Sequence, residues 1–115
     1  MKTTNRAVTR GSGNIFADLG LPDAEGHMLK ARIALYLSKR IKQLDLTQRE
    51  AAERMGISQP DVSNILRGKL LPFSMDRLLA FVRALGSDVE ITLKRPPQQR
   101  REDRHAGTMR LVEMA

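Results

Sequence analysis

The sequence has no cysteine and very few aromatic residues, one Tyr and three Phe among 115 residues. Without cysteine, neither a disulfide nor a thiolate metal site can form. With so few rings, the core must be built from Leu, Ile, Val, Met and Ala, which favours packed helices over an aromatic-rich sandwich. The two histidines, His27 and His105, stand far apart and lack ligand-like neighbours, so neither a metal nor another cofactor is expected. No apolar run approaches the roughly 20 residues of a membrane span, and the first residues are polar, with no signal-peptide core. A soluble, cytoplasmic protein with no membrane contact is expected. No phosphate-cradling glycine loop and no nucleophile–base pair is visible, which argues against an enzyme.

Positive charge is in excess. The net charge is +7 and the isoelectric point about 10.6, but the excess is unevenly spread. Residues 1–12 carry +3 and residues 94–115 another +3, leaving +1 for everything between. The two ends read either as basic arms that neutralise phosphate or as solvated tails.

The organisation expected is a flexible basic arm (1–14), a single domain (15–94) and a flexible basic tail (95–115). An apolar patch broken by Gly and Pro, Ile15-Phe16-Ala17-Asp18-Leu19-Gly20-Leu21-Pro22, precedes a helical period that starts near Ala24. Leu29, Ile33, Leu37, Ile41 and Leu44 then fall on one stripe, in a helix expected to end near Gln43. Thr47-Gln48-Arg49-Glu50 has the S/T-x-x-E form of a capping box, followed by Ala51, Ala52 and Met55 and a stop at Gly56. Ser58 can cap the next helix, where Pro60 is tolerated in the first turn; Val62, Ile65 and Leu66 give its buried face and Gly68 its end. Ser74 opens a fourth helix with the stripe Met75, Leu78, Leu79, Val82 and Leu85, ending at Gly86. In Val89-Glu90-Ile91-Thr92-Leu93-Lys94 the period changes to strict alternation, which reads as a strand with one buried face, stopped by Pro96-Pro97. Met109 to Met114 read as a marginal final helical turn.

Two short helices joined by a tight turn are what the DNA major groove accepts. Ala51 and Ala52 allow a close crossing, Gly56 allows a positive φ in the turn, and Ile57 plugs the corner. The outer surface of the second helix then carries Gln59, Pro60, Asp61, Ser63, Asn64 and Arg67. The run Leu46-Thr47-Gln48-x-x-Ala51-Ala52-x-x-Met55-Gly56-Ile57-Ser58-x-x-x-Val62-Ser63-x-Ile65-Leu66-x-x-Gly68 resembles the Xre/Cro-type helix-turn-helix family. A wider resemblance, through Phe16-Ala17-Asp18-Leu19-Gly20, Lys30 and Leu85-Gly86-Ser87-Asp88-Val89-Glu90-Ile91, is to HigA-like antitoxins.

The resemblance implies an all-α, lambda-repressor-like bundle of about five helices that represses its own operon and neutralises a RelE/HigB-like toxin. It also implies site roles. Gln48 bonds a phosphate and braces the recognition helix. Gln59 reads a base, its carboxamide gripping adenine N6 and N7. Asn64 bonds a base or a phosphate, Ser63 either, and Arg67 and Lys69 are phosphate candidates. Ser58 stands at the helix start. Pro60 departs from the usual polar reader and can make only apolar contact. Asp61 either accepts from cytosine N4 or serves the positive helix N-terminus.

Two other readings stand beside this one: a stand-alone Xre-type repressor without a toxin, and a protein-interaction module on the same scaffold. The polar surface at Gln59, Ser63, Asn64 and Arg67 argues against the last. A lone strand in a helical chain leaves costly unpaired backbone groups. Val89, Ile91 and Leu93 are therefore expected to pair across the two-fold axis of a homodimer, or else with the segment near Ile15-Phe16. Phe16 and Leu19 either dock a protein partner or complete the domain's own core.

Overall fold

The computed structural model describes residues 23–96 and 106–114. The expectations for the basic arm 1–14, for Ile15 to Leu19 and for 97–105 lie outside the described residues. Four helices are present among the described residues: α1 (Asp23–Gln43), α2 (Gln48–Met55), α3 (Gln59–Leu66) and α4 (Met75–Ala84).

α1 is the spine. Its stripe Leu29, Ile33, Leu37 and Ile41 is buried, with Leu44 packing half-buried at its end. α4 and α3 pack on α1, while α2 packs on α3 and α4. The stripe of α4 is buried at Met75, Leu78, Val82 and Leu85, whereas Leu79 is only half-buried and Phe81 takes a core place the sequence stripe did not include. The linker before α4 also supplies Leu70 and Phe73, the latter 1% exposed. Its ring meets Phe81 edge-on, with centroids 6.2 Å apart, an arrangement favoured by the ring quadrupoles.

All four helices end the same way. Leu46, Ile57, Lys69 and Ser87 each donate a backbone N–H to the carbonyl five residues back, on Ile41, Ala52, Asn64 and Val82. The residue before each donor is left-handed: Asp45 (φ 56), Gly56 (φ 73), Gly68 (φ 79) and Gly86 (φ 96). This closure satisfies carbonyls that the helix itself leaves open, and glycine enters the left-handed region without a Cβ penalty. Asp45 is the exception, and Asp is among the few other residues that visit that region.

α1 and α4 are clipped together beyond their apolar contact. Arg40 Nε donates to the Leu85 carbonyl at 2.9 Å, placing a cation at the negative end of α4. Tyr36 Oη and Ser87 Oγ lie 2.6 Å apart.

Two local readings differ from the structure. Val89 to Lys94 forms no strand among the described residues. Val89 is half-buried, but Ile91 and Leu93 are 71% and 91% exposed, so the alternation has no buried face here. The physical reason is that a ladder needs a second strand, and the described part of one chain offers none. Met109 to Met114 is not a helical turn either. Residues 106–114 run alongside α1, tied by the Met109 N–H to Glu25 Oε2 at 2.9 Å and by Lys39 Nζ to Glu113 Oε1 at 3.1 Å. Contacts distant in sequence thus outweigh a weak local helical preference in residues 109–114.

Candidate nucleic-acid interface

The start of α2 is held by reciprocal bonds. Glu50 N–H donates to Thr47 Oγ1 at 3.1 Å, and Thr47 N–H donates to Glu50 Oε1 at 2.8 Å. The Thr47 backbone bond, then its hydroxyl, hold the Glu50 carboxyl below its ordinary value of 4.5, with Arg54 adding to the effect and partial desolvation opposing it. Ala51 and Ala52 are buried, and α2 packs on α3. After the left-handed turn at Gly56, Ile57 packs half-buried against the core.

α3 starts on Ser58, whose Oγ accepts from Asp61 N–H at 3.2 Å. That acceptor role leaves the hydroxyl proton free to donate outward. Val62 and Ile65 are buried at 0% and 2% exposure, which fixes the rotation of α3 about its axis. At 100° per residue, Pro60, Ser63, Asn64 and Arg67 then lie on the side away from those anchors. Gln59 and Asp61 flank them at the N-terminal end.

The expected site residues fall into three places. Ser58, Gln59, Pro60, Asp61, Ser63, Asn64 and Arg67 are brought together on α3 and its caps. Gln48, exposed, opens α2, and Lys69, exposed, follows the turn at Gly68. Gln59, Pro60 and Arg67 are exposed, whereas Asp61, Ser63 and Asn64 are half-buried. Arg67 Nη2 donates to Asn64 Oδ1 at 2.9 Å, so two of the expected contact residues are bonded to each other in the free protein. Leu66, expected on the buried face, packs only half-buried beside it.

One cation was not singled out from the sequence. Arg77, in the first turn of α4, holds its guanidinium carbon 5.4 Å from the ring centroids of both Phe73 and Phe81. This distance is within cation–π range. The spacing of Arg77 and Phe81 is the part of the signal the sequence carries, since residues four apart share a helix face; Phe73 precedes the cap Ser74 and lies off the helix. Arg49, Arg54, Arg67 and Lys69 stand against Glu50, Glu53 and Asp61 between Leu46 and Lys69. The unit is therefore nearly neutral, and the hydrogen-bonding side chains of α3, more than bulk charge, distinguish its surface. No helix among the described residues is long and apolar enough to cross a membrane.

Residues 15–94 match a family model described as a helix-turn-helix domain. A solved structure named as an XRE family transcriptional regulator shares 39% sequence identity, with a TM-score of 0.71, over 81% of this chain and 100% of that chain. No curated protein matches the sequence.

Proposed function

Because the chain belongs to the helix-turn-helix domain family, we propose that it is a sequence-specific regulator of transcription that places α3 in the major groove of double-stranded DNA. The observation that carries this reading is the fixed rotation of α3: Val62 and Ile65 are buried, so Pro60, Ser63, Asn64 and Arg67 present as one outward set with Gln59 beside them. A carboxamide at such a position matches the donor and acceptor on the adenine edge, and a guanidinium beside it can hold a phosphate. The relative named as a transcriptional regulator supports the same reading. The protein has no catalytic role in this reading and acts in the cytoplasm. The test is a gel shift of the full chain on the DNA upstream of its own coding sequence. Retention of the complex in excess random duplex supports sequence reading, and equal competition by random duplex overturns it.

The assembly is a homodimer. Ile91 and Leu93 stand exposed on an extended segment, and antiparallel pairing with the same segment of a second copy would cover them and bond the free backbone. Two copies would then meet half-sites about one DNA turn, roughly 34 Å, apart.

The finer role is that of an autorepressing antitoxin of HigBA type, which also binds a RelE/HigB-like toxin. Its support is the resemblance of residues 16–20 and 85–91 to that branch. Co-expression with the product of the adjacent gene tests it. A stable complex supports the antitoxin role, and its absence leaves a stand-alone repressor.

A further inference from the structure

Residues 109–113 follow one flank of α1 with a period of two. Met109 and Leu111 are half-buried against the domain, while Arg110 and Val112 point outward and are exposed. Glu113, the next residue in the inward register, meets Lys39. That is the alternation of an extended peptide laid on a surface. It is anchored at one end by its own backbone, through Met109 N–H to Glu25, and at the other by a carboxylate. Between the anchors, Leu111 sits at a cleft of about 170 Å³ bounded by Arg32, Leu35, Lys39, Leu111 and Glu113. The segment lies beyond the residues matched by the family model, and its Met109 and Leu111 pack, partly buried, against the helical core.

The contacts that hold it are few. Lys39 and Glu113 are both solvent-exposed, with side-chain exposures of 61% and 41%, and an exposed ion pair holds weakly. Leu35, at the cleft beside the segment, and Met28, two turns earlier on α1, stay 64% and 63% exposed. The flank thus offers a carboxylate acceptor at Glu25, an apolar strip and a cation at Lys39, in that order along the helix. Such a surface receives any extended chain with apolar residues at alternate positions and an acidic residue at the next.

We propose that this flank of α1 is a docking groove for an extended protein segment of the pattern apolar-x-apolar-x-acidic. Residues 106–114 act as a strap that fills it in cis and is displaced by a partner carrying that pattern. The strap is tied to the domain through residues 95–105. A tether of that kind raises its local concentration to the order of millimolar, so weak contacts suffice to close the groove, and a partner must present a better-fitting segment to open it. This surface is separate from the outward set on α3, so the inference does not depend on the DNA-binding reading.

The probe is a fluorescein-labelled peptide with the sequence of residues 106–115, followed by anisotropy against the full chain. Leu111→Asp with Glu113→Lys releases the strap. Both residues lie outside the buried core, and circular dichroism establishes that the helices are retained. The released variant is expected to bind the peptide at least about tenfold more tightly than the wild type, in which the tethered strap competes. Adding Lys39→Glu to the released variant removes binding, and a peptide in which the residue equivalent to Glu113 is Lys restores it. Equal binding by wild type and released variant overturns the strap. No binding by the released variant, with its helices intact, overturns the groove. A wild-type oligomer in light scattering that the released variant does not form means the strap is exchanged between copies, and overturns closure in cis.

Discussion

Arg67 donates its Nη2 to Oδ1 of Asn64 across 2.9 Å, one turn apart on the outward side of α3. A carboxamide oxygen has two acceptor positions, so Asn64 can accept from Arg67 and from a base amino group together, with its orientation set by the arginine. The two residues are then coupled. Arg67→Ala is expected to weaken cognate and random DNA alike and to lower the salt slope by about one. Asn64→Ala with Arg67→Ala should depart from additivity by about 0.5–3 kcal/mol. Anisotropy titrations of the four proteins at several salt concentrations measure both; strict additivity would mean that the bond plays no part on DNA.

Gln59 flanks this pair and has an exposed side chain. Gln59→Ala should cost about 1–3 kcal/mol on the cognate site and little on random duplex. The same titrations decide it, since equal losses on both DNAs would remove Gln59 from base reading.

Gly56 holds φ 73 in the turn between α2 and α3, and a Cβ there would meet nothing within 4 Å. The cost of a side chain is therefore in the backbone and not in the space. Gly56→Ala is expected to destabilise by about 1–2 kcal/mol, and Gly56→Asn by less, as Asn is tolerated at such ends. Urea unfolding with an unchanged m-value checks this.

The Glu50 carboxyl is held below its ordinary value by the bonds to Thr47. A depressed folded pKa contributes stability that is present above the unfolded value and lost as pH falls through the folded one. Glu50→Gln keeps the capping geometry but removes the charge at the N-terminus of α2. Its melting temperature should therefore lie below that of the wild type at pH 7, with the gap closing as pH falls from about 5 through the depressed folded pKa. A gap that stays constant with pH would show that the charge contributes nothing.

Ile91 stands 71% exposed on the extended segment after α4. Ile91→Pro removes a backbone donor that strand pairing needs, and should convert a dimer into a folded monomer in light scattering. A dimer that survives would move the interface away from residues 89–94.

The parts legible in the sequence are those whose cause is local. Thr47, Ser58 and Ser74 cap three helices through their own side chains, and an apolar period with a glycine beyond it marks where a helix runs and stops. Phe73 was not legible as core because it lies in a linker with no period, and only the approach of α4 buries it. The strand was read from an alternation that is present but lacks a partner in the described chain. The extended course of residues 106–114 depends on Glu25 and Lys39, which are 84 and 74 residues from their partners, a distance no window of sequence spans. On α3, the outward set follows from Val62 and Ile65, whereas the Asn64–Arg67 bond depends on side-chain rotamers that no sequence pattern specifies.

α3 has only eight residues, about 12 Å of helix at 1.5 Å each. A probe of that length passes over roughly four base pairs, a word that recurs by chance about once in 256 steps even if every letter is read without error. Against about 10⁶ or more competing positions in a genome, one copy has thousands of equivalent addresses. Occupancy of a single control region thus becomes a matter of information, with two short words and a fixed spacing needed to spell a location that neither word specifies alone.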